Sequence, residues 1–297
     1  MKYLVGYSAD QGGREALALG ILLARNSGGS LVVCTILPET WGHPSMARVD
    51  AEYANFLDQH AKKTLDKARA LVGKRVPAEF VSRAAPSARE GLFSTAEDVA
   101  ADCIVLGSAR AAAIGRFLEG SVTSSVLHSA PLPVALAPRG YAPGPRTRLR
   151  RITCAISATP ESARTARGAH ELCARLQVPL RLLTFVVRDQ QMYPTGVGYQ
   201  AENMVANQWR AQATAGQKKI IAALPSKPPV TGAIADGKTW KAAFGSVPWK
   251  DGEVVAIGSS SLGPIMRVFL GSNAAKIVHT ASVPCIVMPR RGPADSD

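Results

Sequence analysis

Two stretches of the chain carry the residues best suited to chemistry: GSARAAAIGRFLEGSVTSS at 107–125 and GSSSLGPIMRVFLGSNAAK at 258–276. Each opens on Gly-Ser, at Gly107 and Gly258. Each reaches a second Gly-Ser thirteen residues later, at Gly120-Ser121 and Gly271-Ser272, and Arg116 and Arg267 hold the same place between. Glycine lets backbone N–H groups turn inward and approach a ligand closely. A helix beginning at the second Gly-Ser adds the partial positive charge of its N-terminus, and the two together make a phosphate cradle. Ser121 either caps that helix or offers its hydroxyl to an anion. The same pattern also describes a plain strand-to-helix connection in which glycine serves tightness and serine caps. Arg116 and Arg267 either reach a phosphate or solvate the loop, and solvation is the favoured reading.

Other chemistry is largely excluded. The chain has no HExxH, no Walker A loop and no GxSxG. His128 and His279 recur together, but no acid or cysteine recurs beside them, so they read as polar positions late in a helix. Cys34, Cys103, Cys154, Cys173 and Cys285 form no CxxC pair, and four of them lie in apolar runs. They read as buried free thiols of a reducing compartment. Asp10, followed by Gly12-Gly13, reads as the cap of the first helix. The net charge of +13 divides into +4 over residues 1–148 and +9 over 149–297. Five arginines crowd RGYAPGPRTRLRR (139–151), but no helix carries a basic stripe interleaved with aromatics. Nucleic-acid binding is therefore not expected. No apolar run reaches membrane-spanning length, and MKYLVGYSADQGG reads as a first strand rather than a leader.

These loops sit in a duplicated chain. VLHSAPLPVALAP (126–138) matches IVHTASVPCIVMP (277–289), and ADCIVLGS (101–108) matches GEVVAIGS (252–259), both 151 residues apart. YLVGYSAD (3–10) matches TCAISATP (153–160) at an offset near 150. The repeat predicts domains at 1–138 and 152–290, an exposed linker at 139–151 and a tail at 291–297. Within the first copy, strands are expected at KYLVGYS, SLVVCTIL, AEFVSR, DCIVLGS and PVALAP. Helices fall between them, with long ones at GREALALGILLARNSG and 50–73, then 88–100 and 120–129. The second copy repeats the pattern with strands near 152–157, 180–187, 230–235, 253–258 and 284–289. Its third helix, about 238–247, is poor and is stopped by Pro248. Alternating strands and helices predict an α/β fold. It consists of two tandem doubly wound domains, each a five-stranded parallel sheet of order 3-2-1-4-5 with helices on both faces. The order reverses between strands one and four, and ligands bind beyond the carboxyl ends there. Strand one ends near Ser8 and Ser157, and strand four at Gly107 and Gly258.

Order, size and both loops resemble the universal stress protein family in its tandem two-domain form, over nearly the whole chain. The nucleotide-binding branch of that family carries G-x2-G-x9-G-[ST] after strand four. Here the pattern reads Gly107-x2-Arg110-x9-Gly120-Ser121 and Gly258-x2-Ser261-x9-Gly271-Ser272, with the middle glycine replaced in both copies. The family's first strand usually ends in a nucleotide-contacting Asp, and Ser8 and Ser157 stand at that place. Arg110 either crowds a phosphate or pairs with it. Ser261 leaves the second loop roomier, which makes the second copy the preferred site by a small margin.

The resemblance implies a cytoplasmic regulatory protein of the stress response that binds ATP or another adenine nucleotide and is not an enzyme. It also implies two halves paired as an internal pseudo-dimer, since family members commonly pair through strand five, with a homodimer open. The alternative is a nucleotide-free interaction module with degenerate pockets that acts on a protein partner; a slow nucleotide hydrolase is a third reading. Long connections at 38–50 and 188–200, with Trp41, Tyr193 and Tyr199, either cover a base or pack on a partner.

Overall fold

The structure is a computed structural model that describes residues 1–39, 49–157, 159–188, 196–259 and 270–289. Most of the long connections, and Ser261, Arg267 and the tail at 291–297, lie outside the described residues. The chain divides into two compact units, Met1–Arg148 and Leu149–Asp297.

The first unit runs β1 (Lys2–Gly6), α1 (Gln11–Ser27), β2 (Ser30–Pro38), α2 (Val49–Val72), β3 (Ala78–Ala85), α3 (Ala88–Asp98), β4 (Cys103–Gly107), α4 (Ser121–Leu127) and β5 (Val134–Ala137). The strands pair in parallel in the order β3-β2-β1-β4-β5. Leu4 and Val5 of β1, and Ile104 and Val105 of β4, are fully buried. Neighbouring residues of a strand point to opposite faces, so both faces of the central strands are covered. α1 starts where Asp10 accepts the Gly13 N–H at 2.8 Å, and it ends at Gly28 in the left-handed conformation. Both signals are local, which is why the sequence marks this helix so clearly.

The second unit runs β6 (Arg151–Ile156), α5 (Pro160–Leu176), β7 (Leu180–Val187), α6 (Gly196–Ala222), β8 (Val230–Gly237), α7 (Trp240–Gly245), β9 (Glu253–Gly258), α8 (Ser272–Thr280) and β10 (Cys285–Met288). Its parallel order is β8-β7-β6-β9-β10. The expected weak third helix is the six-residue α7, capped by the Thr239 hydroxyl.

Strand register fixes the repeat more tightly than letters do. Leu4 lies between Val32 and Ile104, and Thr153 lies between Arg181 and Val255. Ile104 and Val255 are equivalent through the Gly-Ser loops, so Leu4 is equivalent to Thr153. Ser8 then falls on Ser157, Gly13 on Ser162, Ile36 on Phe185 and Asp102 on Glu253.

The segment read as an exposed linker makes specific hydrogen bonds at its start. Arg139 exchanges backbone hydrogen bonds with Gly115 and Arg116 at 2.7 and 2.8 Å. The Gly140 N–H donates to the fully buried Glu15 carboxylate at 2.6 Å.

Candidate functional site

In the first unit the carboxyl ends of β1 and β4 border a crevice of about 290 Å³. Ser8, Gly107, Gly120 and Ser121 all line it, so four candidate residues from three separate segments converge. Ile36 and Leu92 add aliphatic wall, and Asp10 is the one charged side chain among the described lining residues.

The two bracketing glycines differ in what requires them. A Cβ on Gly107 would lie 1.9 Å from the Gly12 carbonyl oxygen, so this glycine serves the crossing of β4 with the start of α1. A Cβ on Gly120 would meet only Ala109 Cβ at 3.7 Å, and the backbone there is extended (φ −87°). Neither packing nor conformation demands glycine at 120.

Gly120, and not Ser121, is the N-cap of α4, and no side chain caps that helix. This corrects the reading of Ser121 as cap: the helix begins at Ser121 itself, one residue earlier than a cap at that position allows, and its side chain is exposed. The second unit repeats the arrangement, with Gly271 capping α8 without a side-chain bond and Ser272 as the first helical residue. By contrast α1, α3 and α7 are each capped by their own Asp10, Ser87 or Thr239. The first-turn amides after each Gly-Ser are thus left to water or a ligand.

Ser108 clamps the loop and is the residue that sequence reasoning passed over. It is buried, and its Oγ accepts the Leu118 N–H at 2.9 Å while the Ala109 N–H donates to the Leu118 carbonyl at 2.9 Å. These bonds close residues 108–118 into a compact loop. Arg110 stands exposed on it, and neither Arg110 nor Arg116 lines the crevice. The arginine that the spacing places where the family has a glycine is not brought to the site. The only hint of the clamp was the second letter of the Gly-Ser pair.

No activated nucleophile is present among the described residues of this crevice. Burial pushes the Cys34 thiol above its ordinary value, against smaller opposing effects of the Thr95 hydroxyl and Arg83, so it stays protonated. Burial likewise raises Tyr7. No cluster of side chains suited to a metal occurs among the described residues.

In the second unit the corresponding crevice is larger, about 460 Å³. Ser157 lines it, while Gly258, Gly271 and Ser272 do not. A Cβ on Gly258 would lie 2.4 Å from Thr165 Oγ1, so this glycine too serves helix packing. From α8 the crevice takes Asn273, Ala274 and Ile277 instead.

The two units are tandem doubly wound α/β domains, each with a crevice at the switch point where such folds hold ligands. The model of the universal stress protein family matches residues 1–138 and again 148–289. A universal stress protein of Mycobacterium tuberculosis is 38% identical over 292 residues, 97% of this chain and 100% of that protein. One of Mycolicibacterium smegmatis is 32% identical over 139 residues, 46% of this chain and 98% of that protein. The crystal structure of a universal stress protein from Archaeoglobus fulgidus shares the fold with TM-score 0.64 at 17% identity, covering 98% of each chain. The chain belongs to the universal stress protein family.

Proposed function

We propose that the chain is a cytoplasmic regulatory protein of the stress response that binds ATP or another adenine nucleotide, and that it uses the first unit's crevice. The observation that carries the reading is Gly120: a helix cap with no side chain, in open space, facing the crevice that Ser8, Gly107 and Ser121 share. Phosphate oxygens there accept from first-turn amides of α4 and from the Ser121 hydroxyl, and Ile36 and Leu92 offer the base an apolar wall. This favours the first unit over the second, because the second brings only Ser157 of its described candidates to its crevice.

The reading is of binding, not turnover. The Asp10 carboxylate is committed to the Gly13 N–H, and no other lining residue among those described is placed to take a proton from water. The expected effect of ligand is therefore mass action on the folded state, about 2.7 kcal/mol at a hundred times the dissociation constant. Thermal shifts with ATP, ADP and AMP, run beside a phosphate-release assay, test it. A concentration-dependent shift with negligible release, lost in Gly120→Asp, is expected. Release at enzymatic rates would overturn the non-enzymatic reading. The alternative, a nucleotide-free interaction module, is favoured by one observation: no Lys or Arg lines either crevice among the described residues. No shift at millimolar nucleotide would select it.

A further inference from the structure

The second unit's crevice is not a copy of the first. Strand register puts Phe185 where the first unit has Ile36, and both residues line their crevices. The residue after the third-helix cap is Ala88 in one unit and Trp240 in the other, and again both line. One turn on, Leu92 is replaced by Phe244. Two lining positions that are aliphatic in the first unit are aromatic in the second, with Phe244 packed against Phe185 behind them.

That wall is built to stay in place. Phe185 lies 5.5 Å from Trp240 and 6.2 Å from Phe244, with the latter rings nearly parallel at 10°. Phe244 stacks on Trp249 at 4.3 Å, and the Trp249 indole N–H donates to the Phe244 carbonyl at 2.8 Å. The Arg181 guanidinium covers the Trp249 ring and the Lys276 ammonium one face of Trp240. Trp209 of α6 also lines the crevice and is 47% exposed. Right-handed crossovers put α6 and α7 on opposite faces of the sheet, so Trp209 and Trp240 reach the crevice from different layers.

The polar groups are neutral. The Ser157 hydroxyl lies 3.1 Å from that of Ser162 and 3.2 Å from that of Thr159. Thr184, Gln212 and Asn273 add a hydroxyl and two amides. No charged side chain lines the crevice among the described residues. Aromatic walls with a few hydroxyl and amide groups, in a cavity of this volume, suit a planar ring with a hydrogen-bonding edge. Among the described lining side chains none carries a charge to pair with a phosphate.

We infer that the second unit binds an uncharged heteroaromatic small molecule against Phe185, Trp240 and Trp209, independently of any nucleotide held by the first unit. The test uses the full chain with lumichrome and adenosine as uncharged probes and ATP as the charged counterpart, read by calorimetry and tryptophan quenching. An uncharged probe is expected to bind, at least tenfold more weakly to Trp240→Leu and unchanged to Gly120→Asp. Trp209→Leu, at a half-exposed site where folding is not at stake, should also weaken it. The proposal is overturned if neither uncharged probe binds, if binding ignores both tryptophan substitutions, or if ATP binds this site more tightly than adenosine. Loss of ATP binding in Gly120→Asp bears on the first unit alone, so the two readings fail separately.

Discussion

At the carboxyl end of its sheet the first unit sets glycines, Ser8 and the aliphatic Ile36 and Leu92 around a small crevice. The second sets Phe185, Trp240 and Trp209 around a larger one. The amino ends differ as much. In the first unit the Lys2 N–H donates to the Asp102 carboxylate at 2.7 Å and the Asp102 N–H donates back to the Lys2 carbonyl at 2.8 Å. In the second, Glu253 occupies the place of Asp102 and is 1% exposed. It accepts from Arg151 at 3.0 Å, from Arg181 at 2.5 Å and from the Thr153 hydroxyl at 2.5 Å. Arg181 stands where the first unit has Val32. Between these ends the strand order and register are the same. The sheet fixes where residues meet, and the ends are free to acquire different chemistry.

Breaking the amino-end cluster should have the largest effect. Burial lowers the Arg181 guanidinium below its ordinary value and the Glu253 carboxylate pulls it back up. Removing that carboxylate leaves a buried cation with the Thr153 hydroxyl and the face of the Trp249 ring in place of a counter-charge. Glu253→Ala should therefore cost about 3–5 kcal/mol, whereas loss of the Lys2 hydrogen bond in Asp102→Ala should cost about 1 kcal/mol. Three of the four tryptophans, Trp209, Trp240 and Trp249, belong to the second unit, so urea unfolding followed by their emission reports mainly on that unit. The double substitution Glu253→Met with Arg181→Met should recover much of the loss, because the buried cation is gone and the Arg151 guanidinium left behind is partly exposed to water. Equal losses for Glu253→Ala and Asp102→Ala would mean the two ends are energetically alike despite their geometry.

A smaller effect is expected at the turn from strand one into the first helix. A Cβ on Gly13 would lie 1.9 Å from the Ser8 carbonyl oxygen. The equivalent residue of the second unit is Ser162, whose hydroxyl accepts the Ser157 N–H at 2.9 Å. One turn excludes a side chain and the other is held by one. Gly13→Ser should destabilise the first unit by about 1–3 kcal/mol through overpacking. Ser162→Gly should cost about 1 kcal/mol through the lost bond. Hydrogen exchange at Leu4 and Thr153 separates the units. Protection unchanged in both variants would show the turns to be interchangeable.

What the sequence showed and what it hid divide by range. Strands such as CIVLG, the Asp10 cap and the Gly-Ser spacing are local patterns, and each is found where the pattern puts it. The equivalence of Ser8 with Ser157 came from the family's strand-one pattern, and strand register supports it where the letter-by-letter match is one residue off. Three features depend on contacts far apart in the chain and left no local mark. Glu253 meets Arg151 and Arg181 across strands. Phe185 meets Trp240 only because β7 and α7 converge. Arg110 faces outward because Ser108 closes the loop around it. The cap itself was misjudged by one residue, since Gly-Ser before a helix fits a serine cap as well as a glycine one until the backbone is seen.

That last ambiguity supplies the finest test of the comparison. Gly120 has extended cap geometry (φ −87°, ψ 171°), the conformation serine adopts when its hydroxyl caps a helix, and Gly271 has the same (φ −73°, ψ 167°). Serine in place of glycine at either position supplies the missing acceptor to a first-turn amide, so each substitution should stabilise the chain by a few tenths of a kcal/mol. At 120 the added Cβ has room, with Ala109 at 3.7 Å as its one neighbour. Binding should separate what stability does not. In Gly120→Ser the hydroxyl takes an amide that a phosphate would otherwise use, so ATP affinity should fall several-fold while the protein becomes slightly more stable. In Gly271→Ser the same hydroxyl should leave ATP affinity unchanged, because the second unit's described candidates do not converge on its crevice. Paired thermal-shift and calorimetric titrations of the two variants read both quantities. A fall in ATP affinity only in Gly271→Ser would move the nucleotide to the second unit and with it the whole division of chemistry between the two crevices.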